Sequence, residues 1–549
     1  MKKNILNLFK TTQKQTNFKM PVIVSAPRPQ NSGYSHGSAS HTKRAFKGFT
    51  AQSNSANQDI HYNNLTMRQR GRIIFMSCPF GTSAIKAYRT NVVGPGLRVK
   101  PKIKGELLGL SESQTVELQK QIEREFNLWA ENKRACDATG MNDFYGMQQL
   151  ALMSWLMSGD VFALKKHYKT SADCPYSTRW HLIEADRIAT PTNSGAQFAS
   201  FNLTDGVATN GNRIFDGVEV NKNGLVEAYY VCNHYPREVN TDPTEYVRVK
   251  ALGEHTGLPN ILHVMNSERP DQYRGVSLMA QVIEPLLQSK RYADAELQAA
   301  IIENFYTGFV TSDTPEENIL SETGSGDDTE PEVSDNDREI ELGAGTIQYL
   351  KPGENITFSD PKRPNSGFTG FMEAQASQIG AGVEVPPEML TKRFNSNYSA
   401  SRAAYIEAWR SFRMYRNWFI SDFCNPIYES IITEAVALGR ISAPGFFDNP
   451  VARKIYLNCE WIGPAMAQID PLKEIQALAM AIDTGVITRE NATMTYSGAD
   501  YFDNALQLKF ENDALAKAKA PLTALTEPQT TTGAEQNATD DTDEAANRE

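Results

Sequence analysis

The stretch EMLTKRFNSNYSASRAAYIEAWRSFRMYRNWF, residues 388–419, joins a short basic loop to the start of a long helical pattern. The loop lacks glycine, and its polar side chains include Lys392, Arg393, Asn395 and Asn397. Asparagine suits a loop because it tolerates left-handed backbone and bonds to local backbone groups. Ser399 is a candidate N-cap. The loop leads directly into about forty residues of helix-compatible sequence. The stretch therefore predicts a long helix that begins at a basic loop.

The long helix carries an aromatic face and an arginine face. At ~100° per residue, five aromatic side chains share an arc of about 80°: Tyr405, Trp409, Phe412, Phe419 and Phe423. Such a stripe is typical of core packing. Arg402, Arg410 and Arg413 form a neighbouring arc, and Arg416 falls inside the aromatic one. The arginines suit a solvated face and contacts between subunits equally well, since arginine stacks on rings and pairs with carboxylates.

The composition is that of an acidic chain with enough apolar residues for a large core. The chain has 549 residues, 40% of them hydrophobic, and a formal net charge of −10. The length allows several domains. The acidity argues against a protein that clamps nucleic acid, because such proteins usually have a strongly basic domain. No apolar run has the length of a signal-peptide core or a membrane span, so we expect a soluble protein.

The six cysteines and eight histidines have no ligand or redox spacing. The cysteines are scattered without a C-x-x-C pair: Cys78, Cys136, Cys174, Cys232, Cys424 and Cys459. We therefore expect reduced thiols in a reducing compartment rather than disulfides or zinc ligands. No H-E-x-x-H or similar histidine pair occurs, and the sequence predicts neither a metal site nor a cofactor.

Two kinds of enzyme are the alternatives to a structural protein. Residues 33–37 read GYSHG, a formal match to the G-x-S-x-G elbow with Ser35 as the nucleophile of a serine hydrolase. That motif needs a buried strand before it and a helix after it, and the Ser- and Asn-rich residues 25–60 provide neither. A DNA-processing enzyme is the second alternative. The chain lacks a G-x-x-x-x-G-K-S/T loop for ATP and the carboxylate pattern of a two-metal nuclease.

The first half of the chain is predicted to be α+β. The polar residues 1–60 cannot bury enough apolar surface to order, so we expect a flexible arm there. After it, Pro79 breaks one helical pattern, and a second pattern over 111–134 has apolar residues at helical spacing: Val116, Leu118, Ile122, Phe126 and Trp129. From 180 to 265 the pattern alternates, with a hairpin turn at 221–224, which predicts an antiparallel sheet.

The second half is dominated by helices. Residues 277–310 form one helical pattern with Pro285 near its start, about 50 Å long at ~1.5 Å per residue. An acidic segment at 322–338 follows, with Arg338 as its single cation, and it suits a solvated loop. A second helical pattern, 368–385, ends at Pro386 and Pro387. The two helices can run antiparallel as a stalk, with the acidic excursion at one end and the basic loop at the other.

The order of several phrases resembles the portal proteins of tailed bacteriophages, lambda family. These phrases include LIEADRIATP (182–191), ILHVMNSERPDQYRGVSLMAQVI (261–283), VPPEMLT (385–391) and NYSASRAAYIEAWRSF (397–412). Each phrase alone is weak, but their ordered set, from about residue 61 to 490, is specific. The arm, the acidic loop tip and the last thirty or so residues lie outside the resemblance.

The resemblance implies an α+β, portal-type fold that assembles as a ring, with an α/β wing, long stem helices, a small clip and a helical crown. The segments would be a flexible N-terminal arm (1–60), the wing (61–276), a stem helix (277–310), the clip with its acidic loop (311–365), a returning stem helix (366–390), a channel loop (391–400), the long helix and return to the wing (401–469), the crown (470–520) and a disordered acidic tail (521–549).

The resemblance also implies a structural function without catalysis. Portal rings, usually of twelve subunits, sit at one capsid vertex of the virion after assembly in the host cytoplasm. Their partners are the terminase large subunit, head-completion or adaptor proteins, and the major capsid and scaffold proteins. Double-stranded DNA passes through them without sequence preference. The channel loop residues would be Lys392, Arg393, Asn395, Asn397 and Tyr398. The arginines beside the aromatic face, Arg402, Arg410, Arg413 and Arg416, are the candidate intersubunit residues on the strength of their chemistry alone.

Overall fold

The structure is a computed structural model that describes residues 38–171, 174–191, 205–236, 238, 243–304, 308–312, 354–358, 367–394, 398–466 and 471–518. The chain forms two units, Met1–Ser55 and Ala56–Glu549. In the first unit, the described residues contain a 3-10 turn over Arg44–Phe46. Ser35, the nucleophile of the hydrolase alternative, lies outside the described residues.

The second unit begins with two helices that meet at a proline. Helix α1 spans Ala56–Ser77 and helix α2 spans Pro79–Tyr88. Proline is accommodated in the first turn of α2 because its missing N–H would have no partner there, so the predicted break at Pro79 is confirmed. A π-helical turn, Arg89–Val93, leads into strand β1, Arg98–Pro101.

Helix α1 starts five residues earlier than expected, since the sequence assigned residues before 61 to the flexible arm. The Asn57 side chain donates to the Asp271 carbonyl at 2.8 Å and accepts from the Tyr273 amide at 3.2 Å. Asp59 pairs with Arg269. These contacts with a segment more than 200 residues away hold the first turn, which local composition does not reveal.

The next three helices supply much of the core. Helix α3 spans Glu112–Ala130, α4 Lys133–Cys136 and α5 Phe144–Ser158. Ser111 and Gln114 form a reciprocal capping box at the start of α3. Four of the five apolar residues at helical spacing on this helix are buried, whereas Val116 is 45% exposed and borders a surface groove.

The predicted antiparallel strands form two sheets. In chain order they are β2 Asp160–His167, β3 Thr178–Glu184, β4 Asp205–Val207, β5 Arg213–Phe215, β6 Val218–Val220, β7 Val226–Cys232, β8 Tyr246–Lys250 and β9 Ile261–Met265. One sheet has the order β3-β2-β9 and the other β4-β5-β6-β7-β8, with all pairs antiparallel. The predicted hairpin joins β6 and β7, and the Asn221 side chain accepts from the Asn223 and Leu225 amides in its turn.

The expected helix over 277–310 is wrong at both ends. Helix α6 spans Ile283–Asn304, and Gly308–Ser312 is strand β10, paired antiparallel with β11, Glu354–Phe358. Before α6, the Leu278 amide donates to the Leu156 carbonyl at 3.0 Å, which fixes a non-helical approach. Helix α6 has 22 residues, or about 33 Å at ~1.5 Å per residue rather than 50 Å. The acidic segment 322–338 lies outside the described residues.

Residues 388–419 contain most of one short helix and all of the long helix that follows it. Helix α7 spans Gly367–Gly382, α8 Pro387–Thr391 and α9 Tyr398–Phe419. Helix α9 begins one residue before the expected cap at Ser399, so Ser399 and Ala400 are helical rather than part of a loop. A π-helical turn, Ile420–Cys424, joins α9 to α10, Asn425–Ala437, and the long helical run of the prediction is confirmed.

Near its end the chain pairs with strand β1 and then continues into further helices. Helix α11 spans Pro450–Tyr456, and strand β12, Cys459–Ile462, pairs antiparallel with β1. Three helices follow, α12 Pro471–Asp483, α13 Arg489–Ser497 and α14 Tyr501–Ala518. They occupy the segment in which helices were expected.

The aromatic face of α9 and α10 lies at the centre of the main core. Phe412, Phe419 and Phe423 are fully buried, as predicted, and Tyr405 and Trp409 pack partly buried against the same cluster. Phe412 contacts Tyr88 of α2 edge-to-face, and Phe419 stacks near Trp155 of α5. The long helix is thus held by α2 and α5. Among the described residues, no helix combines the length and hydropathy needed to cross a bilayer.

Candidate functional site

The basic loop is anchored by helix α8, whose apolar residues reach the core. Met389 and Leu390 are buried, and the Ser83 hydroxyl of α2 donates to the Met389 carbonyl at 3.3 Å. At the preceding turn, the Tyr88 hydroxyl donates to the Val383 carbonyl at 3.0 Å. Pro386 and Pro387 stop α7 from continuing, because proline lacks a donor and clashes with the previous helical turn. The base of the loop is therefore fixed on α2.

Lys392 ends α8 in a left-handed conformation and turns the chain out of the helix. Its φ is 57°, which is uncommon for a residue other than glycine. Its side chain is exposed and borders an open cleft that Lys86 of α2 and Thr90 of the following π-helical turn also line. Arg393 is exposed too, with a 3.9 Å contact to Glu373 of α7. Such an exposed pair contributes little to stability, so both cations face solvent and remain available to a ligand.

The other three loop residues can be placed only in part. Asn395 and Asn397 lie outside the described residues, and Tyr398 is the first residue of α9. Phe394, which the sequence analysis did not single out, is 65% exposed beside Arg393. The loop therefore presents two cations and an aromatic ring from a rigid base.

Arg416, one of the candidate intersubunit residues, is instead engaged within its own chain. Its guanidinium donates to the carbonyls of Val92 at 2.9 Å, Asn91 at 2.7 Å and Pro464 at 2.9 Å. It also lies over the Trp409 ring, 5.4 Å from the centroid. Burial, together with the nearby charge of Arg413, lowers the pKa of Arg416 to about 10. Arg416 thus joins the long helix to the turn after α2 and to the chain that leads into α12.

The other three arginines differ in their surroundings. Arg402 lies 3.6 Å from Glu474 of α12 and so joins the start of the long helix to the last helices. Arg410 pairs with Glu407 one turn away on the exposed surface at 3.0 Å. Arg413 is exposed. Arg410 and Arg413 therefore remain accessible to a second molecule, whereas Arg402 and Arg416 organise the chain itself.

A buried ionic cluster that no sequence motif indicates holds the middle of α1 against strand β2. Asp160 is fully buried, with Arg274 at 2.7 Å and Arg68 at 3.4 Å. Burial alone would raise the pKa of Asp160, but the two guanidinium groups hold it well below its ordinary value. Arg274 also donates to the Ala185 and Ile188 carbonyls. The partners lie 114 residues apart, so no local motif indicates them.

Several helices expose apolar faces that no other described part of the chain covers. On α14, Phe502, Leu506 and Phe510 are 63%, 47% and 63% exposed, and at ~100° per residue they share an arc of about 80°. On α6, Leu287, Leu297 and Ile301 form a second exposed stripe. Helix α12 has no buried residue. Exposed apolar patches of this kind mark interaction sites in soluble proteins.

Within the described part of the chain, no group of acidic, histidine or cysteine residues is arranged to hold a metal ion. The five cysteines at 78, 136, 174, 232 and 424 are buried free thiols, and Cys459 is half-buried. Burial raises the pKa of Cys136 and Cys459 to about 12, which makes them poor nucleophiles. The accessible features are the basic loop and the apolar helix faces.

A family profile and several known proteins match this chain. The sequence profile of the phage portal protein, lambda family, matches residues 42–416, from before α1 to near the end of α9. Portal protein B of Escherichia phage lambda is 23% identical over 427 residues, which cover 75% of this chain and 76% of that protein. The portal protein of Escherichia phage N15 is 22% identical over 474 residues, covering 83% and 86%.

A third relative and a solved structure are also similar to this chain. The probable portal protein of Halomonas phage phiHAP-1 is 24% identical over 452 residues, which cover 80% of this chain and 79% of that protein. A chain in the virion of a native gene transfer agent particle is 14% identical with a TM-score of 0.42, covering 78% of this chain and 92% of that chain.

Proposed function

Because the chain belongs to the lambda family of phage portal proteins and its function is that of a phage portal protein, we propose that it forms a closed ring of twelve copies. The ring occupies one vertex of the capsid in the virion, and double-stranded DNA enters and leaves through it. Portal proteins are structural, so the family assignment favours this function over the Ser35 hydrolase and the DNA-processing enzyme.

The proposal of a ring rests on the exposed apolar surface of α6 and α14. Burying a large apolar side chain stabilises a contact by about 1.5–3 kcal/mol. The three-residue stripe of α14 alone therefore offers several kcal/mol to a partner that covers it. The stripe of α6 lies on a different element with a different sequence. When one face of a subunit meets a different face of the next, the contacts are head-to-tail and a ring closes them.

The charge of the basic loop is consistent with the proposed role of the ring as a conduit for DNA. A channel through which DNA moves must not hold it, and each Lys or Arg contact with a phosphate adds salt-dependent affinity. The loop offers Lys392 and Arg393 in a chain whose net charge is −10. We place this loop, with Asn395, Asn397 and Tyr398, on the channel wall, where it touches phosphates briefly. Contacts to the DNA backbone carry no sequence information, which suits passage of any genome.

The acidic segment 322–338 is proposed as the docking site for the terminase large subunit and for head-completion proteins. Repeated around a ring, its carboxylates sum into a field that steers a basic partner and weakens as salt screens it. Contacts with the major capsid and scaffold proteins, and assembly in the host cytoplasm, complete the proposed life cycle.

Ring formation is tested on the purified chain. We expect light scattering at micromolar concentration to give a mass several times that of the 61.1 kDa monomer, and negative-stain images to show closed rings. The same preparation should show no esterase or nuclease turnover. A stable monomer would contradict the ring, and turnover that a Ser35→Ala variant loses would restore the hydrolase alternative.

A further inference from the structure

The charge of this chain is divided sharply between its two units. The first unit, Met1–Ser55, contains nine of the 55 lysines and arginines and none of the 65 aspartates and glutamates. The remaining residues carry the other 46 cations and all 65 acids, a formal charge of −19. The net charge of the whole chain therefore conceals a segment of charge +9. Basic N-terminal arms of this kind are typical of contacts with nucleic acid.

The described part of this unit shows how the cations are displayed. In HTKRAFKGF (41–49), the Ser40 hydroxyl oxygen accepts from the Thr42 amide at 3.3 Å and the Lys43 amide at 3.2 Å. The 3-10 turn Arg44–Phe46 follows. Its turns continue through the Lys47 and Phe49 amides, which donate to the carbonyls three residues earlier. The segment is thus a short series of hydrogen-bonded turns whose shape is set by its own backbone.

These turns place exposed cations beside one exposed ring, Phe49, and one half-buried ring, Phe46. Lys43, Arg44 and Lys47 are all exposed. Phe46 and Phe49 lie with their ring centroids 6.4 Å apart, and Phe49 is 73% exposed. The first carboxylate along the sequence, Asp59, is twelve residues beyond Lys47. Cations that alternate with accessible aromatic rings are the features with which proteins bind the phosphates and unstacked bases of nucleic acids.

We propose that residues 41–49, at the end of the basic arm Met1–Ser55, form a DNA-binding segment that is separate from the channel loop. The cations neutralise backbone phosphates without reading sequence, and the two phenylalanines pack on sugars or exposed bases. The remainder of the chain is acidic overall, so we assign the capture of DNA to residues 41–49 and only brief phosphate contacts to the channel loop. This binding is a property of the single chain and does not depend on ring formation.

The test is fluorescence anisotropy with a labelled 30-base-pair duplex from 50 to 200 mM salt. Three lost phosphate contacts lower the slope of log K against log salt by about 2.7. We therefore expect the parent's affinity to fall about 40-fold more than that of K43Q/R44Q/K47Q over this range. The control K104Q/K133Q/K454Q removes three exposed cations elsewhere and should bind like the parent. A second variant, F46L/F49L, should keep the salt slope but bind a single-stranded 30-mer more weakly.

Two results would overturn the proposal. In one, K43Q/R44Q/K47Q binds the duplex with the affinity and salt slope of the parent. In the other, the parent ignores DNA but binds poly-glutamate, which would assign the segment to an acidic protein partner. The oligomeric state of each variant is measured in parallel by light scattering, so a failure of DNA binding and a failure of the ring are distinguished.

Discussion

At the scale of single residues, Arg416 illustrates how a side chain at a surface-like position comes to organise the interior. Its three carbonyl acceptors belong to the turn after α2 and to the chain after β12, up to 325 residues away. Gly463 makes this approach possible, because a Cβ there would lie 3.0 Å from the Arg416 Cζ. The lowered pKa of Arg416, about 10, leaves the guanidinium charged at neutral pH. Arg416 therefore couples the long helix to the elements on either side of it.

We predict that Arg416→Gln lowers the free energy of unfolding by about 2–4 kcal/mol, because buried carbonyls lose their donors. Chemical denaturation monitored by tryptophan fluorescence measures this. The matched control is Arg413→Gln, on the same helix but exposed, which should change stability by less than about 0.5 kcal/mol. Equal effects of the two substitutions would show that the carbonyl contacts of Arg416 contribute little.

At the scale of secondary structure elements, α14 is a helix whose apolar face packs against little else in the part of the chain that the structure describes. Its base is held by Lys100, which pairs with Asp500 just before the helix and with Glu490 of α13. Beyond that base, nearly every described residue of the helix is exposed. An isolated helix of this length is marginal in water, and packing of an apolar face usually supplies its stability. A neighbouring subunit is the partner we expect.

The triple variant F502S/L506S/F510S should therefore weaken ring assembly and leave the fold of the chain intact. Light scattering should show smaller species at concentrations at which the parent is a ring. Far-ultraviolet circular dichroism should show at most the loss of helix content that α14 itself contributes. The control N504S/Q507S/E511S places the same number of serines on the polar side of the same helix. If the apolar variant assembles as the control does, then α14 lies outside the interface.

At the scale of the whole molecule, the basic loop is the part of the chain that we propose DNA meets during passage. We predict that K392A/R393A leaves ring formation and terminase docking unchanged but alters the amount of DNA packaged or retained. The effect should be equal for two DNAs of different base composition, because backbone contacts carry no sequence information. In vitro packaging followed by nuclease protection measures it.

The control for this experiment is K104A/K133A, which removes two exposed cations from other parts of the chain. It should package like the parent. If K392A/R393A also packages and retains DNA like the parent, the charge of the loop has no role in passage. A base-dependent effect would instead show that the loop reads sequence, contrary to the proposal.

Several features of the fold are determined by residues that are close together in the sequence. The break at Pro79, the capping box at Ser111 and the hairpin at Asn221 each depend on residues within one turn of each other. The aromatic stripe of the long helix follows from its 3.6-residue period, and that spacing by itself predicts its burial. These features are determined by the sequence alone because the physical causes act over a few neighbouring residues.

Tertiary structure alone decided the features that depend on distant partners. The start of α1 needs Asp271, Tyr273 and Arg269, and the early end of α6 follows from the pairing of β10 with β11. The sequence placed Arg416 among the intersubunit candidates, and the fold surrounded it with carbonyls of its own chain. No local pattern encodes such contacts. Long-range packing can override local helix propensity. It also determines which polar groups are buried away from water and therefore need hydrogen-bond partners inside the protein.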